Sequence, residues 1–164
     1  MLGYHATMPE QAEKLLALGV PSDIASTAWC ERGGERVLVE IPRGMKYDRF
    51  KESLVSGKTG ESPLRVLCPC WLATDLLDAI PELYCDMLSD EVAEEMDEEE
   101  NREWSDVEIS LSRDESGGMW FASCYCSEGL GSTVAMGSDI APIEAVIQML
   151  EELSQKISLS IMRA

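Results

Sequence analysis

The amino-acid sequence predicts an α+β fold with an N-terminal helical hairpin, a small and mostly antiparallel sheet, and a C-terminal helix packed across that sheet. Residues 107–111 alternate apolar and polar side chains, and 119–126 follow after the turn 116–118, which is typical of a β-hairpin. From 142 to 156, apolar residues recur at helical spacing. A helix laid across a hairpin buries a core, so we expect this segment to organise the chain.

The N-terminal 29 residues are predicted to form the helical hairpin. Thr7 and Glu10 match a capping box, and Pro9 suits the first turn of a helix because its missing N–H has no partner there. Gly19 is the predicted C-cap. The helix between them carries an apolar stripe of Ala12, Leu15, Leu16 and Ala17. The chain restarts at 21–23 into a second short helix that reaches Trp29.

The central part of the chain is predicted to alternate short strands and helices. Residues 36–41 are rich in β-formers and end at Pro42, which predicts a strand. A weaker helical pattern covers 47–55, a loop 56–63, and a short strand 64–67. Thr74 is then expected to cap a helix that ends before Pro81, with Trp71 folded onto its first turn.

The chain is strongly acidic, with a net charge of −18 at 164 residues. Residues 82–115 hold fifteen acidic side chains against Arg102 and Arg113, whereas 31–65 hold eight basic against six acidic ones. This charge disfavours direct binding to nucleic acid or to an anionic membrane, and it favours a protein partner with a basic surface. We expect one domain over 1–164, with an acidic insert at about 86–105 that is helical or partly disordered.

The acidic insert supplies the predicted binding face. Trp104 lies at its end and is the candidate hydrophobic anchor for a partner, although core packing is the alternative for each tryptophan. The residues predicted to form the face are Glu94, Glu95, Asp97, Glu98, Glu99, Glu100 and Trp104.

Two Cys-x-Cys pairs are the candidate zinc ligands. Cys68/Cys70 and Cys124/Cys126 each place two thiols on one face of a strand, and four thiolates satisfy tetrahedral zinc. Structural zinc sites prefer Cys-x2-Cys or longer spacing, so buried thiols are the competing interpretation. No apolar N-terminal run resembles an export signal, so we expect a cytoplasmic protein with reduced cysteines and no cofactor.

No catalytic motif is complete, so we predict no catalytic residues and no enzyme. Gly57-Lys58-Thr59 resembles the end of a phosphate-binding loop, but Glu52 stands where that motif needs glycine. The only histidine, His5, lies in an N-terminal segment expected to be exposed, so no Ser-His or Cys-His arrangement has a secure base. Gly129 and Gly131 precede a predicted strand, not a helix that would hold phosphate.

Three segments carry a resemblance to a known family. The first is Glu10-Gln11-Ala12-Glu13-Lys14-Leu15-Leu16-Ala17-Leu18-Gly19-Val20, running to Asp23-Ile24-Ala25. The second is Cys68-Pro69-Cys70-Trp71 with the following Asp75-Leu76-Leu77-Asp78-Ala79-Ile80-Pro81. The third is the Trp120 strand with the later Ala141-Pro142-Ile143-Glu144-Ala145, Met149-Leu150 and Leu153. In this order they resemble a family of small uncharacterised proteins of gut bacteria and of their phages and prophages. The resemblance implies no activity or site residue, and the acidic stretch 90–103 departs from the family pattern.

Three functions follow as hypotheses. The first is a phage-type or mobile-element accessory protein, an inhibitor or nucleic-acid mimic whose acidic face binds a basic surface of a host or defence protein. The second is a structural or assembly module, with a homodimer as one form, in which the acidic segment only confers solubility. The third is a zinc-dependent enzyme.

Overall fold

The computed structural model describes residues 5–55, 64–80, 83–84, 104–105, 107–126 and 132–163, and it confirms the predicted α+β class. Two three-stranded antiparallel sheets and a two-stranded ladder make up the β-structure of these residues. In chain order the elements are α1 (Pro9–Ala17), β1 (Thr27–Arg32), β2 (Glu35–Glu40), α2 (Tyr47–Val55), β3 (Arg65–Cys70), α3 (Ala73–Asp78), β4 (Leu83–Tyr84), β5 (Trp104–Ser105), β6 (Val107–Arg113), β7 (Trp120–Cys126), β8 (Ser132–Asp139) and α4 (Pro142–Ser154).

The chain divides into two compact units. The first comprises Met1–Ala79 together with Met162–Ala164, and the second comprises Ile80–Ile161. The single domain predicted over 1–164 stays a prediction, and each unit is described by itself below.

The first unit is built on a sheet of order β2-β1-β3, with apolar residues on both faces. On one face, Ala28 and Cys30 pack against Tyr47 and Phe50 of α2, with Ile41 completing the cluster. This face explains the confirmed helix at 47–55. The sequence of this helix gives only a weak helical pattern. Packing of its apolar side against the sheet supplies the stability that intrinsic helix propensity does not.

The opposite face of this sheet centres on Trp29. Its indole Nε1–H donates to the carbonyl oxygen of Thr7 at 2.8 Å, and its ring packs with Ala6 and Cys70. Trp71 is fully buried beside the sheet and its indole donates to the Pro21 carbonyl at 3.2 Å. Both buried indoles are therefore hydrogen-bonded, as burial of a polar N–H requires.

The predicted N-terminal helical hairpin is wrong in its second helix. Only the three residues Ser22–Ile24 form a 3-10 turn, and the chain through Trp29 is strand β1. Gly33 and Gly34, with φ of 59° and 84°, make the two-residue turn to β2, and their left-handed backbone matches the twist of a hairpin. Strand β2 pairs with one side of β1 and β3 with the other, so the backbone groups of β1 bond to these strands and are not available for a helix.

Two predicted helix caps are also wrong. Helix α1 is capped by Met8, whose backbone N–H donates to the Gln11 side chain at 2.7 Å, and Thr7 is buried one residue earlier. Helix α3 begins after Leu72, whose N–H donates to Asp75 Oδ2 at 2.9 Å, and Thr74 lies inside the helix. In both helices the third helical residue accepts from the N-cap backbone N–H. The N-cap side chains, Met8 and Leu72, have no oxygen that could accept a hydrogen bond in return.

The second unit confirms the hairpin, the third strand and the C-terminal helix predicted from the sequence. Strands β6, β7 and β8 form an antiparallel sheet in that order, and α4 lies on β7 and β8. Strands β4 and β5 pair with each other over two residues. Most of the predicted acidic insert, 86–103, lies outside the described residues.

Helix α4 lies in direct contact with the backbone of β8. A Cβ added to Gly137 would stand 2.2 Å from the Ala145 carbonyl oxygen and 2.6 Å from the Met149 nitrogen. Glycine is therefore required at this position by close approach. Seven apolar residues of α4 are almost completely buried, namely Ile143, Ala145, Val146, Ile147, Met149, Leu150 and Leu153.

Candidate binding surface on the second unit

The division of the chain separates its charge. The first unit holds ten basic and eleven acidic residues, whereas the second holds three basic and twenty acidic ones. Their net charges are therefore −1 and −17. Nearly all of the net negative charge therefore belongs to the second unit.

The sheet of the second unit has one buried and one exposed face. Ala122, Cys124 and Gly137 point toward α4 and are buried, so their neighbours along each strand point away from the helix. We call the side away from α4 the outer face. It consists of Glu108, Ser110, Ser112, Phe121, Ser123, Tyr125, Thr133, Met136 and Ser138.

The outer face combines hydroxyl groups with exposed apolar side chains. Phe121 and Met136 lie on neighbouring strands and are 38% and 52% exposed, and Ile140 just beyond β8 is 70% exposed. The Ser110 and Ser123 hydroxyls on opposite strands lie 2.6 Å apart and are hydrogen-bonded to each other. None of the nine residues is basic, and Glu108 is acidic. This composition suits contact with a protein surface and offers no cation for a phosphate.

The turn between β6 and β7 extends the acidic character of this unit. Asp114 and Glu115 are both exposed there. The Asp114 carboxylate accepts hydrogen bonds from the backbone N–H and hydroxyl of Ser116, at 3.3 and 3.2 Å. These hydrogen bonds hold the Asp114 carboxylate against the turn.

The predicted acidic binding face lies almost wholly outside the described residues. Glu94, Glu95 and the four acidic residues 97–100 fall there, as does the side chain of Trp104. The backbone of Trp104 pairs with Tyr84 between β5 and β4. The acidic face therefore stays a prediction. Sequence reasoning also did not single out Met136 and Ile140. Val134, Ala135 and Met136 are consecutive apolar residues, so no alternation in β8 marks Met136 as the exposed one.

The Cys-x-Cys pairs lie in different units. Cys68 and Cys70 lie opposite Trp29 and Thr27 on one face of the first sheet, as their i, i+2 spacing predicts. Cys124 is buried in β7 of the second unit, and the side chain of Cys126 lies outside the described residues. Within the described part of the chain, no group of three or more His, Cys, Asp or Glu side chains is placed to hold a metal ion. A four-cysteine zinc site stays a prediction.

The described thiols of the first unit are held in their protonated form. Burial, reinforced by the neighbouring Cys70 thiol, raises the pKa of Cys68 to about 11. Burial also raises the pKa values of Cys30 and Cys70, and the Cys70 thiol donates to the Thr7 carbonyl at 3.3 Å. Thiols with raised pKa values are poor nucleophiles at neutral pH, because the thiolate is the reactive form.

A shallow cleft marks the first unit, with a volume of about 630 Å³. Lys46 and Asp23 form an exposed ion pair across 3.2 Å within it. Its lining carries two cations against three carboxylates, namely Lys46, Arg49, Asp23, Asp48 and Glu52, with Pro21 and Ser22. With charges nearly balanced and exposed to solvent, this cleft has no arrangement that would favour a charged ligand.

Comparison with protein-family models, with curated proteins and with solved structures found no match. The resemblance to a family of proteins of gut bacteria and their phages therefore stays a prediction.

His5, the only histidine, is exposed. Among the residues that the structure describes, none of the helices is both long and apolar enough to cross a membrane.

Proposed function

We propose that this protein acts by binding, as a phage-type or mobile-element accessory protein whose acidic second unit engages a basic surface of a host or defence protein. The observation that carries the proposal is the placement of −17 of the −18 net charge in the second unit. A surface of this kind attracts the lysines and arginines that otherwise bind phosphates, so it competes with nucleic acid for them.

The charge partition supports a binding role because solubility alone does not require it. Charges of both signs spread over the whole surface keep a protein soluble. Concentrating like charges in one unit instead adds repulsion within that unit, which lowers its stability. A basic partner would relieve this repulsion, and long-range attraction would speed the encounter between the two proteins.

The test is partner capture from a host extract with three forms of the protein. The first form is wild type, and the second is Glu94→Gln/Glu95→Gln/Asp97→Asn/Glu98→Gln/Glu99→Gln/Glu100→Gln. The matched control removes six exposed carboxylates from the first unit instead: Glu10→Gln/Glu13→Gln/Glu35→Gln/Glu40→Gln/Glu52→Gln/Asp78→Asn. Both variants change the net charge by the same amount.

We expect a protein that wild type and the control retain at about 0.1 M salt and that the second-unit variant loses. Retention by wild type should also fall at about 1 M salt, where the Debye length shrinks from about 10 Å to about 3 Å. If the captured protein binds DNA, wild type should displace labelled DNA from it. Equal retention by all three forms would contradict an acidic binding face.

A second candidate function, an assembly module, is favoured by the apolar part of the outer face. Phe121, Met136 and Ile140 are exposed together at one end of this face, which suits a contact with a second copy. Sedimentation of wild type and of Phe121→Ser/Met136→Ser separates the two functions. A dimer that the double variant abolishes supports assembly, whereas a monomer in both leaves the acidic surface as the site of function. The zinc-dependent enzyme would instead require about one zinc per chain in purified protein.

A further inference from the structure

Strand β8 is an edge strand of the second sheet. Within the part of the chain that the structure describes, the order is β6-β7-β8, and β7 is the one strand that pairs with β8. Its other side carries backbone groups that point away from the sheet, including the Val134 carbonyl and the N–H groups of Met136 and Ser138. Such groups form a ready template for a further strand.

Side chains from the α4 region occupy these backbone groups one by one. The N–H of Ser138 donates to Gln148 Oε1 at 3.2 Å, and the N–H of Met136 donates to Glu152 Oε2 at 3.1 Å. Two residues beyond the end of α4, the Lys156 ammonium donates to the Val134 carbonyl. These three backbone groups therefore each have a partner of the right kind, an amide or carboxylate oxygen for each N–H and an ammonium for the carbonyl oxygen.

The spacing of the helix matches the spacing of the strand. Four residues of helix rise about 6 Å, and two residues of strand span about 6.6 Å. Because the helix runs back along β8, positions 148, 152 and 156 meet positions 138, 136 and 134 in turn. Asp139 holds the first of them in place, since its Oδ2 accepts from the Gln148 amide at 3.5 Å.

The strand itself has few of the usual devices that keep an edge from pairing. Asp139 is its only charged residue, and it contains no lysine and no proline. A bulge interrupts the ladder opposite Cys124 and Tyr125, which affects one end of the strand only. Protection of the remaining edge therefore comes from the side chains of the helix.

We propose that Gln148, Glu152 and Lys156 form an edge shield that keeps β8 from pairing with β8 of a second copy of this chain. An antiparallel β8–β8 ladder would need the same outward groups that the shield now occupies. The occupant is a second copy because β8 carries one charge, at its end, and because Met136 and Ile140, 52% and 70% exposed, would be partly covered in such a pair.

The test removes the shield without changing the net charge. The variant is Gln148→Ala/Glu152→Ala/Lys156→Ala, and the matched control is Lys51→Ala/Glu52→Ala/Gln155→Ala, which removes one cation, one carboxylate and one amide from exposed positions elsewhere. Both are compared with wild type by sedimentation velocity over a concentration series. The salt is set to about 0.15 M, where the Debye length of about 8 Å weakens repulsion between the acidic units.

We expect the shield variant to associate at concentrations where wild type and control keep their mass. In its dilute form, the Met136 and Ser138 amides should exchange with solvent about twofold to tenfold faster than in wild type, since each has lost one hydrogen bond. Adding Met136→Lys to the shield variant should restore the wild-type mass, because a lysine on an edge opposes pairing. That rescue separates pairing through β8 from aggregation of a damaged fold.

Two results would overturn the proposal. One is a folded shield variant whose mass follows that of wild type over the whole series. The other is association that Met136→Lys does not reverse. If the triple variant does not fold, Gln148→Ala alone is measured in the same way, and unchanged exchange at Ser138 with unchanged mass then counts against the shield.

Discussion

At the scale of single residues, Thr7 connects the N-terminal segment to the sheet of the first unit. Its N–H donates to the Trp71 carbonyl at 2.9 Å, and its hydroxyl accepts from the Trp71 N–H at 3.0 Å. Its carbonyl accepts from the Trp29 indole and from the Cys70 thiol. The sequence motif indicates a helix cap, because a threonine three residues before a glutamate looks the same whether its hydroxyl caps a helix or bonds to a neighbouring strand end.

Replacing Thr7 tests this network. Thr7→Val keeps the volume of the side chain but leaves the buried Trp71 N–H without its acceptor, so we expect a loss of about 1–3 kcal/mol in the free energy of unfolding. Thr7→Ser keeps the hydroxyl and loses one methyl group, at a cost of about 0.5–1.5 kcal/mol. Urea unfolding curves give both values. A valine variant at least as stable as the serine variant would show that the hydroxyl contributes nothing here.

Cys68 gives the first unit a dependence on alkaline pH. In the unfolded chain its thiol loses its proton near the ordinary value of 9.0, whereas in the folded protein burial raises the pKa to about 11. Between these values the unfolded state binds fewer protons, so the free energy of unfolding falls as pH rises from 9 to 11. Below pH 9 the Cys68 thiol is protonated in both states, so its contribution to the free energy of unfolding is fully present.

The measurement is the urea midpoint between pH 8 and 11 for wild type and Cys68→Ala. We expect a shallower decline in the variant, although it is less stable at every pH because it leaves a cavity. Some decline should remain, since the pKa values of Cys30 and Cys70 are also raised. Parallel curves for the two proteins would show that the Cys68 thiol does not titrate in this range.

At the scale of elements, the two units show how tertiary pairing decides the state of a segment. The first three residues of β1, Thr27 to Trp29, are predicted from the sequence as the end of a short helix, with Gly33 and Gly34 taken as the break after it. The same Gly33-Gly34 pair is a two-residue hairpin turn when strands flank it. The hairpin turn is therefore visible in the sequence. The pairing of β1 with β3, which lies far along the chain, is not, and this pairing makes β1 the central strand.

Helix α4 was predicted nearly to its observed end because its apolar pattern is long and regular. Its close contact with β8 at Gly137 was not visible in that pattern. We expect Gly137→Ala to cost about 1–3 kcal/mol or more in the free energy of unfolding, because the new methyl group meets the helix backbone and cannot be accommodated by a side-chain rotation.

The matched control is Gly117→Ala in the β6–β7 turn, where the new methyl group meets only the end of the Asp114 side chain at 3.2 Å. This control should stay within about 0.5 kcal/mol of wild type. Denaturant unfolding measures both variants. Equal stability of the two would mean that α4 moves away from β8 at little cost.

At the scale of the whole molecule, the distribution of charge is the property with the clearest consequence for function. Residue counts already showed an acidic region at 82–115, but they did not show which packed unit carries it. The division after Ala79 assigns nearly all of the net charge to one unit and leaves the other close to neutral. The proposed binding role and its expected dependence on salt both rest on this concentration of negative charge in the second unit.

The sequence alone determined the α+β class, the hairpin of β6 and β7, and helix α4, because each depends on local periodicity and turn chemistry that neighbouring residues supply. It also determined the net charge, which is independent of fold. Only the tertiary structure decided that β1 is a strand, that Thr7 binds Trp71, and that Gln148, Glu152 and Lys156 meet the edge of β8. These contacts join residues distant along the chain, and their energies arise only once both partners are in place.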